Sequence, residues 1–181
     1  PVTNGLQVWM DGDTWDANAN QWLDKSGNNN HSSNTVGSVT VQSHSGGNGA
    51  QGTFNYIYGN TNAGVRITNG WNNGNNYTFF HITRYTGGSR GRIWQGLSGN
   101  WLSGHWNGRR RVYYHQGWLN SSNQSPLDNW LQTTDSRSLV RANRGANQWS
   151  SGGNYSPNGV AINNAGSGGC CNANERSDWA C

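Results

Sequence analysis

Three groups of side chains in this 181-residue sequence could do chemistry. The first is acidic. Asp11, Asp13 and Asp16, followed by Asn18 and Asn20, place oxygen ligands at alternating positions in a turn-rich stretch. Ca²⁺ gathers about six to eight such oxygens. The spacing is not that of an EF-hand, because Gly12 follows the first Asp and no Glu closes the loop. An ordinary turn, in which Asp and Asn cap their own backbone, is the simpler reading, and a Ca²⁺ site is the alternative. The second group is basic. Arg109, Arg110 and Arg111 lie beside His105 and His115, with Arg90 and Arg92 upstream and Trp101, Trp106, Tyr113, Tyr114 and Trp118 interleaved. Guanidinium forks pair with sulfate, phosphate or carboxylate oxygens. One reading puts alternate side chains of this segment in the core and the Arg on the solvated face of a strand. A second makes Arg90, His105, Trp106, Arg109, Arg111 and His115 a glycan site, with rings stacked on sugar faces. A third, nucleic-acid binding, uses the same chemistry, but the extracellular signs below argue against it. Three consecutive Arg cannot share one face of a strand, so at least one points inward or sits in a turn. The third group is tryptophan. Trp9, Trp22, Trp130 and Trp179 fall in apolar strand patterns and are expected to be buried. Trp71 and Trp149 lie among Gly and Asn, and are expected to be exposed for a sugar or partner contact.

Catalytic constellations are poorly supplied. Cleaving a glycosidic bond takes two carboxylates across it, and Glu175 is the single glutamate. Asp128 and Asp135 stand alone. No G-x-S-x-G elbow and no phosphate-cradling G-x-x-x-x-G-K-[ST] occurs. The expectation is a non-enzymatic protein.

The elements that position these groups follow from composition. The chain has 27 Gly and 11 Trp, with 11% charged and 31% hydrophobic residues. Mean hydropathy is −0.90. Disordered chains are poor in aromatics, whereas here aromatics make up 12%, so the reading is a folded domain with a core built from rings. Lys25, Glu175 and Met10 are the single residues of their types. With Gly and Asn so frequent, a helical bundle is excluded. No run of ~18 apolar residues could span a membrane. The length suits one domain over residues 1–181.

The compartment reads as extracellular, secreted or at the cell surface. Lys and Glu nearly vanish while Asn, Gly, Ser and Thr abound, and sequons begin at Asn30, Asn76, Asn120, Asn123 and Asn154. The odd cysteine count, Cys170, Cys171 and Cys181, fits a bridge to another chain, or one internal disulfide such as Cys171–Cys181 with a buried thiol left over.

Short strands separated by turns run along the whole chain. Ser38–Gln42 and Gly64–Thr68 alternate with period two. Tyr77–Tyr85 is the strongest strand, rich in β-branched and aromatic residues. Arg92–Leu97, Trp101–Trp106, Arg111–Leu119, Asp128–Thr134, Ser138–Ala142 and Val160–Asn163 follow, and Gly5–Met10 forms an apolar run near the start. Asn107–Gly108 is a hairpin signal. About ten to twelve short strands with regular turn signals imply an all-β, antiparallel two-sheet sandwich or jelly roll.

The order of segments resembles the laminin-G-like, concanavalin A-like lectin superfamily. LQVWMDGDTW and QWLDKSGNNNH resemble its opening strand and its W-x-D-x-S-G-x-x-N-H turn. YTFFHITRYTGGSRGRIWQGLSGNWLSGHWNGRRRVYYHQGWL resembles its paired middle strands. DNWLQTTDSRSLVRANRG, GVAINNAG and ERSDWAC resemble the elements that follow. The resemblance implies a jelly roll that recognises glycans or matrix glycoproteins, and it favours Ca²⁺. In such domains a segment like SDWA runs on into a last apolar strand, whereas this chain stops at Cys181. The expectation is an unpaired edge, completed by a longer polypeptide, by another copy of the chain or by a neighbouring chain. An alternative role is a structural glycoprotein subunit of a matrix or filament.

Overall fold

The Asn107–Gly108 pair illustrates how local chemistry sets this fold. Both residues take positive φ, 48° and 66°, and a two-residue turn of that twist matches the twist of the strands it joins. It connects two strands that pair from Arg109↔Trp106 to His115↔Trp101. The computed structural model describes residues 4–71, 76–137, 139–143, 148–150 (main chain), 155–163 and 175–181. After a one-turn 3₁₀ helix, Gly12–Thr14, the strands are β1 (Trp15–Asp16), β2 (Gln21–Trp22), β3 (Asn34–Val36), β4 (Thr40–His44), β5 (Phe54–Gly59) and β6 (Gly64–Ile67). Next come β7 (Thr78–Arg90), β8 (Trp94–Gly96), β9 (Trp101–Trp106), β10 (Arg109–His115) and β11 (Trp118–Asn120). The last are β12 (Leu131–Ser136), β13 (Leu139–Ala142), β14 (Gln148–Ser150), β15 (Val160–Ile162) and β16 (Ser177–Ala180).

These strands form an all-β, antiparallel two-sheet sandwich. One sheet runs β11-β10-β9-β8-β15-β6-β3 and the other β14-β13-β12-β7-β16-β5-β4, while β1 and β2 make a small ribbon. The main core between the sheets is ring-rich, joining Trp22, Tyr85, Trp94, Trp101 and Trp179 to Ile57, Val65, Ile93, Val160 and Ile162. A second cluster, on the outer face of the second sheet, packs Trp130 on Tyr56, Phe54 and Ala180. No helix among the described residues is long and apolar enough to cross a membrane.

Several expectations change. Gly5–Met10 is not a strand, because its backbone is bonded to the turn that follows. Trp9 donates its N–H to Asp24 Oδ1 (2.8 Å), and its carbonyl accepts from Lys25 (2.8 Å). Trp9 is 38% exposed, not buried, and the Lys25 ammonium lies over its ring at 4.4 Å. Trp71 is not exposed either. It packs into the main core against Tyr77, Phe79 and Trp101. Trp22, Trp130 and Trp179 are buried as expected. β5, which the alternation left unassigned, lies well inside the second sheet.

The W-x-D-x-S-G-x-x-N-H segment is a turn organised by one carboxylate. Asp24 Oδ1 accepts from the N–H groups of Trp9 and Ser26, and Oδ2 from Asn30 N–H and the Ser26 hydroxyl, all at 2.8–2.9 Å. Burial pushes this carboxyl up, but the four hydrogen bonds outweigh it and hold its pKa below the ordinary value.

Candidate functional site

The outer face of the first sheet carries an aromatic platform. Alternation along β9 sends Trp101, Ser103 and His105 into the sandwich and Trp106 outward. Tyr114 and Trp118 come from β10 and β11, where Tyr114↔Trp118 are register partners. Trp118 sits between the other two rings, 5.4 Å from Trp106 and 5.0 Å from Tyr114. It is 40% exposed, and its two neighbours are half-buried.

Trp106 also lines a cleft of about 730 Å³ together with Ser89, Arg90, Asn107, Glu175 and Arg176. Glu175 is held there by Trp106, whose indole Nε1–H donates to Oε1 at 3.2 Å, and by buried Arg92, with Nε 3.8 Å from Oε2. Arg90 pairs with Asp128 at 2.9 Å. One carboxylate and two guanidinium groups thus surround a ring edge, a mix that can donate to and accept from hydroxyls and can neutralise an acidic group.

The predicted site residues separate. Arg90 and Trp106 meet at the cleft. Arg109 is exposed on β10, bonded to Ser121 O at 3.3 Å. Arg111 occupies a bulge with φ 70°. Arg110 is the inward member of the run, buried with its guanidinium on Pro126 O and Gln124 Oε1. His105 and His115 are fully buried and so are not surface ligand groups. Both belong to a polar layer between the sheets. His81 bonds Thr83 Oγ1 (3.2 Å) and Ser103 Oγ (3.0 Å), and Thr83 Oγ1 reaches His105 Nδ1 at 3.4 Å. Burial pushes the pKa of His81 down to about 3 and that of His105 well below its usual value. His115 differs. Its Nδ1 faces Arg137 O at 2.9 Å and its Nε2 faces Asp135 Oδ2 at 3.2 Å. The Arg137 carbonyl can only accept, so Nδ1 donates to it, and the Asp135 carboxyl beside Nε2 favours the protonated ring. Burial lowers its pKa, but Asp135 and the carbonyl outweigh burial and raise it. Tyr77 donates to Asp135 Oδ1 (3.3 Å) and Trp101 Nε1 donates to Tyr77 (3.0 Å), completing the chain of bonds.

The acidic group is a set of turn caps. Asp11 caps the 3₁₀ helix through Asp13 N–H (3.1 Å) and pairs with Lys25. Asp13 accepts from Asn55 Nδ2 (2.7 Å), and Asp16 from the N–H groups of Asn18 and Ala19 (2.9 and 3.0 Å). Among the described residues no three His, Cys, Asp or Glu side chains gather to hold a metal, and each of the three carboxylates is engaged in a turn or a side-chain bond. Of the sequons, Asn76 and Asn123 are exposed, while Asn30 donates its amide to Gln7 O (2.9 Å). Asn120 is 9% exposed and spends its amide on Arg111 O (2.6 Å), which removes it as a surface acceptor. Cys181 is a free thiol packed against the core, and burial pushes its pKa up to about 12. Cys170, Cys171, Asn154 and the Trp149 side chain lie outside the described residues.

Sequence reasoning missed Glu175 as a cleft residue and Asp135 as a buried partner. Trp118 and Tyr114 were visible only as interleaved aromatics, and their spacing across a bulged pair gave no regular period. Compared with models of known protein families, with curated proteins and with solved structures, the chain has no significant match.

Proposed function

We propose that this chain is a non-catalytic, extracellular recognition module that binds glycans on the Trp106–Trp118–Tyr114 platform and in the adjoining cleft. The carrying observation is that Trp106 belongs to both. A sugar stacked on Trp118 would extend hydroxyl or acidic groups toward Arg90, Arg176 and Glu175. Few polar groups beside aromatic walls is the usual make-up of a small-ligand site. The resemblance of segment order to the laminin-G-like lectins supports the same reading. The absence of catalysis is supported by Glu175, engaged with Trp106 and Arg92, being the one carboxylate among the residues lining the cleft. The test is retention on immobilised glycans, neutral and acidic. Trp118→Ala and Trp106→Ala should each lower retention at least tenfold while Trp118→Ala leaves the melting temperature within a few degrees. A chain that binds no glycan, or a Trp118→Ala variant that binds as well as the parent, overturns the proposal.

A second reading, a structural glycoprotein subunit that packs against other chains, is favoured by Phe80 and Ile82 of β7, which are 54% and 42% exposed on the outer face of the second sheet. Sedimentation of native material as a monomer over a wide concentration range would refute it.

A further inference from the structure

The guanidinium groups around the cleft are not equivalent. Arg90 is spent on Asp128 at 2.9 Å. Arg92, buried beneath, faces Glu175 and donates to Asn100 Oδ1 at 2.8 Å. Arg176 also lines the cleft. Among the described residues its guanidinium has neither a carboxylate within ion-pair distance nor a hydrogen-bond acceptor. Its Nε is closed off from solvent with nothing to accept from it. Shutting a donor away without a partner is unfavourable. The nearest carboxylate along the chain, Asp178, is committed elsewhere: its Oδ2 accepts from Ser89 N–H at 3.1 Å.

The backbone fixes Arg176 in this position. Glu175 O accepts from Arg92 N–H at 2.6 Å and Arg176 O from Gly91 N–H at 3.2 Å, just ahead of the Ser177↔Arg90 pairing of β16 with β7. Gly91 makes the approach possible, because a Cβ there would lie 1.9 Å from Glu175 O. The rest of the wall suits a hydroxylated ring. Trp106 supplies an aromatic surface, and its N–H is already given to Glu175 Oε1. Glu175 Oε2, 3.8 Å from Arg92 Nε, keeps the capacity to accept from a ligand hydroxyl. Ser89 and Asn107 are exposed at the rim. A Cβ at Gly88 or Gly108 would meet nothing within 4 Å, so the backbone there is open to a ligand.

We propose that the cleft selects an acidic saccharide, with a sugar ring against Trp106, a hydroxyl on Glu175 Oε2 and one carboxylate or sulfate ester on Arg176. A guanidinium meets either anionic group with two parallel N–H donors, which an ammonium cannot do. A neutral sugar leaves the charge of Arg176 without a counterpart. The proposal rests on the glycan reading above and adds the residue that decides between neutral and acidic ligands.

A printed array of oligosaccharides in matched sets tests it. Each set carries one gluco-, galacto- or manno-configured backbone in three forms: neutral, oxidised to the carboxylate at C6, and sulfated at O6. Members of a set differ only in the anionic group, so their affinity ratio isolates it. In the parent at least one acidic form should bind roughly tenfold more tightly than its neutral counterpart. Arg176→Gln should abolish that ratio while neutral binding and the melting temperature stay near the parent's, since the guanidinium makes no bond within the chain. Arg176→Lys should restore only part of the ratio, because it returns the charge without the fork. Arg141→Gln, at an exposed position of β13 on the second sheet, removes the same charge elsewhere and should leave the ratio unchanged. The carboxylate and sulfate arms tell which anionic group the site takes. Equal binding of neutral and acidic members overturns this proposal and keeps the glycan reading. An undiminished ratio in Arg176→Gln, or an equal loss in Arg141→Gln, overturns the role of Arg176. Binding of no member overturns the glycan reading and this proposal together.

Discussion

Replacing Asp24 by Asn removes one oxygen from a carboxylate that serves four donors. Whichever way the amide points, its NH₂ faces two of them. Those are either Trp9 N–H and Ser26 N–H, or Asn30 N–H and the Ser26 hydroxyl. Hydrogen bonds to a charged group contribute about 1.5–3 kcal/mol each. Water can reach part of this site and recovers some of the loss, so about 3 kcal/mol is expected. For a chain of this size that lowers the melting temperature by roughly 6–12 °C. Asp24 titrates below its ordinary value in the folded protein. The stability it supplies is therefore full above the unfolded pKa of about 3.9, and it is lost as pH falls through the lower folded value. Urea melts of parent and Asp24→Asn at pH 7 and pH 3 measure both effects. The gap should be near 3 kcal/mol at pH 7 and should shrink at pH 3. A gap under about 0.5 kcal/mol at pH 7, or one that persists unchanged in acid, refutes the assignment of this turn to a single ionised carboxylate.

Two further perturbations test other parts of the structure. His81 and His105 are held neutral while His115 is held charged, so below about pH 6.5 the unfolded chain binds two more of these protons than the folded one. Stability should fall on acidification by about 2–3 kcal/mol per pH unit between pH 6 and 4, and a flat profile in urea melts over that window would contradict the buried neutral pair. Gly12→Ala would put its Cβ 2.2 Å from the Asn55 carbonyl carbon and oxygen, a backbone clash that cannot relax by rotation. A loss of about 3 kcal/mol or more is expected, and a melting temperature within 2 °C of the parent would show that the helix does not pack there.

Legibility of the fold depended on whether apolar residues marked the inward face. Tyr77–Tyr85, Trp101–Trp106 and the Asn107–Gly108 turn were readable because rings, β-branched residues and turn chemistry all agreed. β12 shows where that logic fails. Its inward residues are Leu131, Thr133 and Asp135, and its outward ones are Gln132 and Thr134, so polarity does not separate the faces. The same inversion misassigned His105 and His115, which read as surface ligands beside arginines yet sit in a polar layer closed by Thr83, Asp135 and the Arg137 carbonyl. That the Arg run could not share one face was sound, and Arg110 is its inward member. What spacing could not deliver was the company each residue keeps. Glu175 meets Trp106 from 69 positions away, and no local pattern encodes such a meeting.

The stacking of Trp101 on His115, 5.3 Å apart and 15° from parallel, gives the protein an internal optical gauge. An imidazolium in face contact accepts an electron from an excited indole and darkens it, whereas a neutral imidazole does so far less. Among the indoles of the described residues, Trp101 is the one stacked on His115, so its emission should follow the charge state of the buried His115–Asp135 pair. Its brightening with rising pH, before any loss of fold, would let fluorescence follow one proton deep between the sheets without any label.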